Sequence, residues 1–215
     1  MKLNFVTASL FCVTALACSR PAVAQNTSPF TFNIGGGFTE PAYRTGDRLD
    51  TGFNINAGVG YNFVPHVGVI GEFGFNNFGL NRTALTAAGV PDGTTRLYSV
   101  TLNPIIRFNP RGRLDAYLIG GGGYYRRTIE FTQPAIGNVT LFDPWWGTFF
   151  NAPVATNQVI GSFTQNKMGW NAGAGVSFRI KSDSNAKFYA ESRYHYVYTT
   201  PRRTTVLPVT FGFRW

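Results

Sequence analysis

Apolar and polar residues alternate with a period of two in segment after segment of this chain. Phe30, Phe32, Ile34 and Phe38 stand opposite Thr31, Asn33, Gly35, Gly37 and Thr39. Phe53, Ile55, Ala57, Val59, Tyr61 and Phe63 oppose Asn54, Asn56, Gly58, Gly60 and Asn62, and Val67, Val69, Phe73 and Phe75 oppose Gly68, Glu72, Gly74 and Asn76. The alternation returns over residues 98–108, 170–180, 188–198 and 207–215. In an extended chain successive side chains leave on opposite sides, so each segment reads as a strand with one greasy and one polar face. Residues 114–131 also read as a strand, although Gly120 to Gly123 blur the parity. The pattern predicts an all-β fold, an antiparallel up-and-down transmembrane β-barrel of eight strands, with ten possible.

Two observations favour lipid outside such a barrel over the inward apolar face of a water-soluble one. The polar face is rich in Gly and Asn, which suits a narrow, crowded interior. Aromatics gather at strand ends (Tyr61, Phe63, Phe108, Phe178, Tyr194 to Tyr198, Trp215), as in the girdles at the two edges of a bilayer. The sequence also offers no large second core for a soluble barrel. The final strand, with Phe211, Phe213 and Trp215 on its greasy face, is expected to close against the strand at 30–38.

Connections alternate in length. Val64-Pro65-His66, the run 109–112 and the run 181–185 read as tight turns; residues 39–50, 80–94, 132–167 and 199–204 read as longer loops. Short periplasmic turns and longer outer loops are the usual asymmetry, and they place both mature termini in the periplasm. Two prolines strain the scheme. Pro104 falls mid-strand and suggests a bulge, and Pro208 suggests ragged pairing near the outer end of the last strand.

The amino terminus agrees with export. Lys2 precedes the apolar run 3–17, and Ala22-Val23-Ala24 supplies a small-residue site, so residues 1–24 read as a signal peptide and 25–215 as the barrel domain. A lipoprotein reading at Cys18 competes with cleavage after Ala24. Both cysteines, Cys12 and Cys18, fall in the leader, which excludes disulfides and Cys-type zinc sites from the mature chain. Removing Lys2 and Arg20 from 19 basic residues leaves 17 against 10 acidic ones, a net charge of +7. The arginines are scattered rather than striped, which argues against a nucleic-acid partner.

The repeat at 53–64 with its tight turn, the penultimate strand Phe188-Tyr-Ala-Glu-Ser-Arg-Tyr-His195 and the terminal Phe213-Arg-Trp215 resemble the small outer-membrane β-barrels of the OmpA/OmpX and opacity-protein type. The resemblance covers nearly all of the mature chain. It implies a structural, adhesin-like, host-binding or narrow-pore protein of the Gram-negative outer membrane, without cofactor, working as a monomer. It further implies that the outer-membrane assembly machinery reads the terminal aromatics Phe211, Phe213 and Trp215. Larger members carry a peptidoglycan-binding domain after the barrel; none follows Trp215, so cell-wall anchoring is not implied.

Candidate chemistry is sparse. Of the two histidines, His195 has Ser192 three residues away and thus on the opposite face, while His66 lies in a turn. Asp115, Glu72 and Glu191 could supply carboxylates, but no Ser–His–acid spacing stands out. Because some barrels of this size modify lipid A, an enzyme stays an alternative to the non-enzymatic reading. Glu72, Arg107, Arg179, Glu191, Arg193 and Arg214 all fall on the polar parity, and burial demands that they pair, with each glutamate facing arginines. That interior reads as a plug, with a narrow gated channel as the alternative. The stretch 132–167 carries Phe142, Trp145, Trp146, Phe149 and Phe150; it reads as an extracellular hairpin, a contact loop for a surface ligand, or two further strands. Arg44, Arg48, Arg82, Arg126, Arg127, Arg202 and Arg203 suggest outer-membrane lipid, lipopolysaccharide phosphate above all, as a partner.

Overall fold

The computed structural model describes residues 29–180 and 185–215. Its eight strands are β1 (Phe30–Pro41), β2 (Gly52–Val64), β3 (Val67–Gly79), β4 (Asp92–Arg107), β5 (Leu114–Asp143), β6 (Thr148–Arg179), β7 (Lys187–Val197) and β8 (Thr204–Arg214). Each pairs antiparallel with its neighbours, and the sheet closes into a barrel. The closure is β8 against β1, in register from Asn33 opposite Arg214 to Pro41 opposite Val206. The leader lies outside the described residues, as does most of the turn expected at 181–185.

Burial is inverted relative to a soluble protein. Thr31, Asn33, Asn54, Asn56, Glu72, Asn103 and Arg193 are buried, while Phe32, Ile34, Phe73, Leu102 and Phe211 are exposed. Only a lipid solvent makes that arrangement favourable, because the greasy faces need an apolar medium and closed strands leave no backbone group unpaired within it. Aromatics mark both edges of the belt. At one end Phe30 packs on Tyr61, Tyr61 on Phe63 and Phe188 on Phe213; at the other Phe53 packs on Phe75, Phe75 on Tyr98, and Trp170 on both Tyr194 and Tyr196.

The segment 132–167 takes the first of its three readings, a hairpin that extends the barrel: β5 and β6 run on paired until Asp143 faces Thr148, so no further membrane strands are added and the barrel keeps eight. Other expectations change. The connection at 80–94 contains a helix, α1 (Arg82–Ala88), whose first turn is capped by the Asn81 side chain accepting from the Ala84 amide at 2.9 Å. It ends at Gly89 with φ +67, a left-handed conformation that glycine adopts without strain. The interior also carries apolar groups, one cluster around Ile70, Ile105, Tyr117 and Ile119 and another around Leu49, Phe78, Leu97 and Tyr125.

Pro104 departs from expectation, and Pro208 shows the expected ragged pairing but farther inside its strand. Pro104 makes no bulge: the β4–β5 register continues unshifted from Leu102 opposite Gly122 to Ile105 opposite Ile119, with pairing merely lapsing at 103–104. Pro208 sits well inside β8, opposite Thr39, and the β7–β8 ladder lapses beside it between Ser192 and His195. In both places the missing N–H falls where a ladder is already open, so it costs no bond.

Candidate functional site

Two features stand out, one in the lumen and one beyond the barrel's outer rim. In the lumen Arg193 bridges two carboxylates. Its Nη1 and Nη2 donate to the two oxygens of Glu72, each at 2.9 Å, and its Nε donates to Glu191. The remaining Glu191 oxygen accepts from Tyr117 Oη at 2.9 Å and lies 3.7 Å from Arg214 Nη2. Asn33 adds a hydrogen bond to Glu72 at 3.2 Å. Arg214 is held between the Tyr117 and Tyr189 rings, 4.7 and 4.8 Å from their centroids. Two acids and two guanidinium groups thus compensate one another where water is scarce, which a buried charge requires.

Strand positions dictate this meeting. Glu72 is on β3, Glu191 and Arg193 on β7 and Arg214 on β8, all on the inward parity. The wall facing them is thin. A Cβ at Gly173 would come 2.8 Å from Arg193 Cγ, and one at Gly175 would come 2.5 Å from Tyr117 Cζ. Those two glycines therefore leave the room that the bulky charged and aromatic groups fill.

The other inward charges stay apart from the network. Arg107 donates to Asn62 Oδ1 at 2.8 Å, and Arg179 donates to the Pro110 carbonyl at 3.3 Å, both near the short-turn end. His195 shares a 3.1 Å hydrogen bond between its Nδ1 and Tyr125 Oη, while Ser192 points to the lipid side. Sequence reasoning missed Tyr117, Tyr125, Tyr189, Asp115 and Lys187 as interior groups. Parity with Glu191 would have found Tyr189, whereas the glycine run hid Tyr117 and Tyr125. The cavity left beside Glu72, Arg193 and His195 is about 20 Å³, the space of a single water.

Beyond the rim the β5–β6 hairpin stands as a two-stranded ribbon. Phe142 and Phe149 pair on one face, ring centroids 5.1 Å apart, and Leu141 and Phe150 pair on the other. The turn between them is stapled by Asp143. Its Oδ1 accepts from the Trp145 amide at 2.8 Å and the Trp146 amide at 3.3 Å, and its carbonyl accepts from Gly147 N at 2.9 Å. Gly147 has φ +64, which closes the turn at no steric cost. Trp145 is 86% exposed and Trp146 75%. Lower on the barrel, Arg126 lies on β5 on the outer face opposite Tyr98, and Arg203 covers the Tyr196 ring at 5.3 Å. Arg127, grouped with the loop arginines by sequence, instead donates to Thr204 and Gln165.

The family model for the outer membrane protein beta-barrel domain matches residues 6–214. The chain belongs to that family and is an integral protein of the bacterial outer membrane. No curated protein sequence matches it. Among solved structures it is similar to Neisserial surface protein A, at 15% identity over 87% of this chain and 96% of that one, TM-score 0.56. A major outer membrane protein from Thermus thermophilus matches at 11% identity over 86% and 97%, TM-score 0.56. The attachment invasion locus protein Ail of Yersinia pestis, solved in complex with the heparin analogue sucrose octasulfate, matches at 18% identity over 86% and 99%, TM-score 0.50. At these identities the likeness is one of fold.

Proposed function

We propose that this outer-membrane barrel is a closed, non-enzymatic protein whose work is surface contact, performed by the β5–β6 ribbon in an adhesin-like manner. The carrying observation is that β5 and β6 stay paired far outside the barrel and end in exposed aromatics on a hydrogen-bonded turn. Such a patch at the end of a paired stalk is the usual mark of a contact surface. A closed lumen supports the same reading over the narrow-pore alternative: Glu72 and Glu191 are compensated by Arg193 and Arg214, and the space beside them holds about one water. The separation of Ser192 from His195 by the barrel wall supports a non-catalytic role over lipid-A modification.

Lipopolysaccharide is the proposed neighbour in the outer leaflet. Arg126 and Arg203 sit beside the outer aromatic girdle, at Tyr98 and Tyr196, where lipid phosphates meet the barrel wall.

The deciding experiment replaces residues 134–157 by an Asn-Gly turn and compares attachment of cells to abiotic and cellular surfaces. Attachment falls to the level of cells lacking the protein while the barrel still shows heat-modifiable mobility. Unchanged attachment by the shortened protein would refute the contact role.

A further inference from the structure

From residue 131 to residue 166 Asp143 is the single ionisable side chain, in a ribbon exposed to the outer medium. A solvated ribbon of this length normally carries charges that keep its open edges soluble and unpaired. The stretch ends in a wedge. Just before the final Asp143–Thr148 pair, Phe142 and Phe149 cover one face and Leu141 and Phe150 the other, and Trp145 and Trp146 cover the end. A protein or sugar surface covers one side of such a wedge. A fluid apolar medium covers both sides and the end at once.

The turn is prepared for that medium. All three amide donors between Pro144 and Thr148 are satisfied by Asp143, so the turn carries no unmet N–H out of water. One pair below Leu141 and Phe150, Thr140 Oγ1 donates to Asn151 Oδ1 at 2.7 Å, which makes one face polar and marks where the apolar wedge ends. From Leu141 and Phe150 to the turn the tip is three residue pairs deep, about 10 Å at the usual strand rise, the upper end of the 5–10 Å burial of interfacial elements. The open edges of a two-stranded ribbon forbid deeper insertion.

We infer that the tip formed by Phe142, Trp145, Trp146, Phe149, Leu141 and Phe150 inserts into the interface of an apposed lipid bilayer, a membrane other than the one holding the barrel. This rests on the contact reading above and names its partner as lipid. The aromatic tip supplies the apolar wedge and the indoles that favour headgroup depth.

The test holds the full-length protein in nanodiscs of unlabelled lipid and adds vesicles of phosphatidylcholine with brominated acyl chains. Co-flotation and quenching of tryptophan emission are both expected, since Trp170 and Trp215 face their own bilayer. Trp145→Ala with Trp146→Ala should lower vesicle affinity on the order of 100-fold, with heat-modifiable mobility retained. Leu141→Ser with Phe150→Ser, and separately Phe142→Ser with Phe149→Ser, should each weaken binding, because lipid covers both faces. Absent quenching would overturn the inference, as would sensitivity to only one of the two face pairs, because a wedge covered by lipid on both sides needs both. So would full competition by soluble oligosaccharide. If vesicles are ignored while ribbon replacement still abolishes cell attachment, the contact role stands and the lipid partner falls.

Discussion

Phe32 and Trp215 exchange both backbone hydrogen bonds across the seam that closes the barrel, Phe32 N to Trp215 O at 2.8 Å and Trp215 N to Phe32 O at 3.0 Å, and their rings stack 6.3 Å apart. The last residue of the chain is therefore both the end of the ladder and an aromatic anchor at the short-turn edge of the belt. Trp215→Ala should cost about 1 kcal/mol on refolding into lipid, the scale of one cross-strand aromatic pair. If the assembly machinery also reads this residue, the folded fraction in cells should drop by far more than that cost explains, with Trp215→Phe restoring it. Equal losses in both settings would leave the residue a purely structural one.

Arg193 holds Glu72 and Glu191 together; its removal strands the Glu72 carboxylate, while Glu191 keeps Arg214 at 3.7 Å and the Tyr117 hydroxyl. Arg193→Met should destabilise the barrel by about 3–5 kcal/mol in urea unfolding from micelles. Adding Glu72→Gln should recover most of that loss, because the penalty lies in the uncompensated Glu72 charge rather than in the missing side chain, while Glu191 and Arg214 still face one another.

Planar-bilayer recordings should show no steady conductance for the native chain, given a residual cavity of about 20 Å³. A stable open level of porin size would overturn the closed-lumen reading.

Gly173 and Gly137 should answer alanine differently. At Gly173 a Cβ would strike the Ser192 carbonyl and crowd Arg193, so Gly173→Ala should cost about 1–3 kcal/mol. At Gly137, on the ribbon, the nearest atom is Thr156 Cγ2 at 3.3 Å, so Gly137→Ala should stay within about 0.5 kcal/mol. The same unfolding assay serves both.

Mass spectra of lipid A from cells with and without the protein should be identical. A modified acyl or phosphate pattern that depends on the chain would revive the enzymatic alternative.

Legibility in the sequence followed how local each signal was. Alternation in β1, β2, β7 and β8 survives in single residues, so those faces were readable, and so was the β8–β1 seam. The stretch 120–123 carries no side chains to alternate, and with it went the inward placement of Tyr117 and Tyr125. The helix at 82–88 escaped notice because a seven-residue element in a loop has too short a period to register. The ribbon leaves three readings open in the sequence, since Pro144 and the paired aromatics break the alternation; in the structure Pro144 falls in the turn, and Pro134 and Pro153 fit a strand pair with both edges free.

The sequence by itself determined the two-faced strands outside the glycine run and the side of each that meets lipid, because a period of two and the cost of a charge in lipid are properties of single residues in order; it left eight strands or ten open, and the closed sheet decided for eight. Only the tertiary structure decided that Arg193 spans Glu72 and Glu191, that Arg214 rests between Tyr117 and Tyr189, and that β5 and β6 remain paired out to Asp143 and Thr148. Those outcomes depend on strand register across the closed barrel, which is set by all eight ladders together and by the glycines that let them approach.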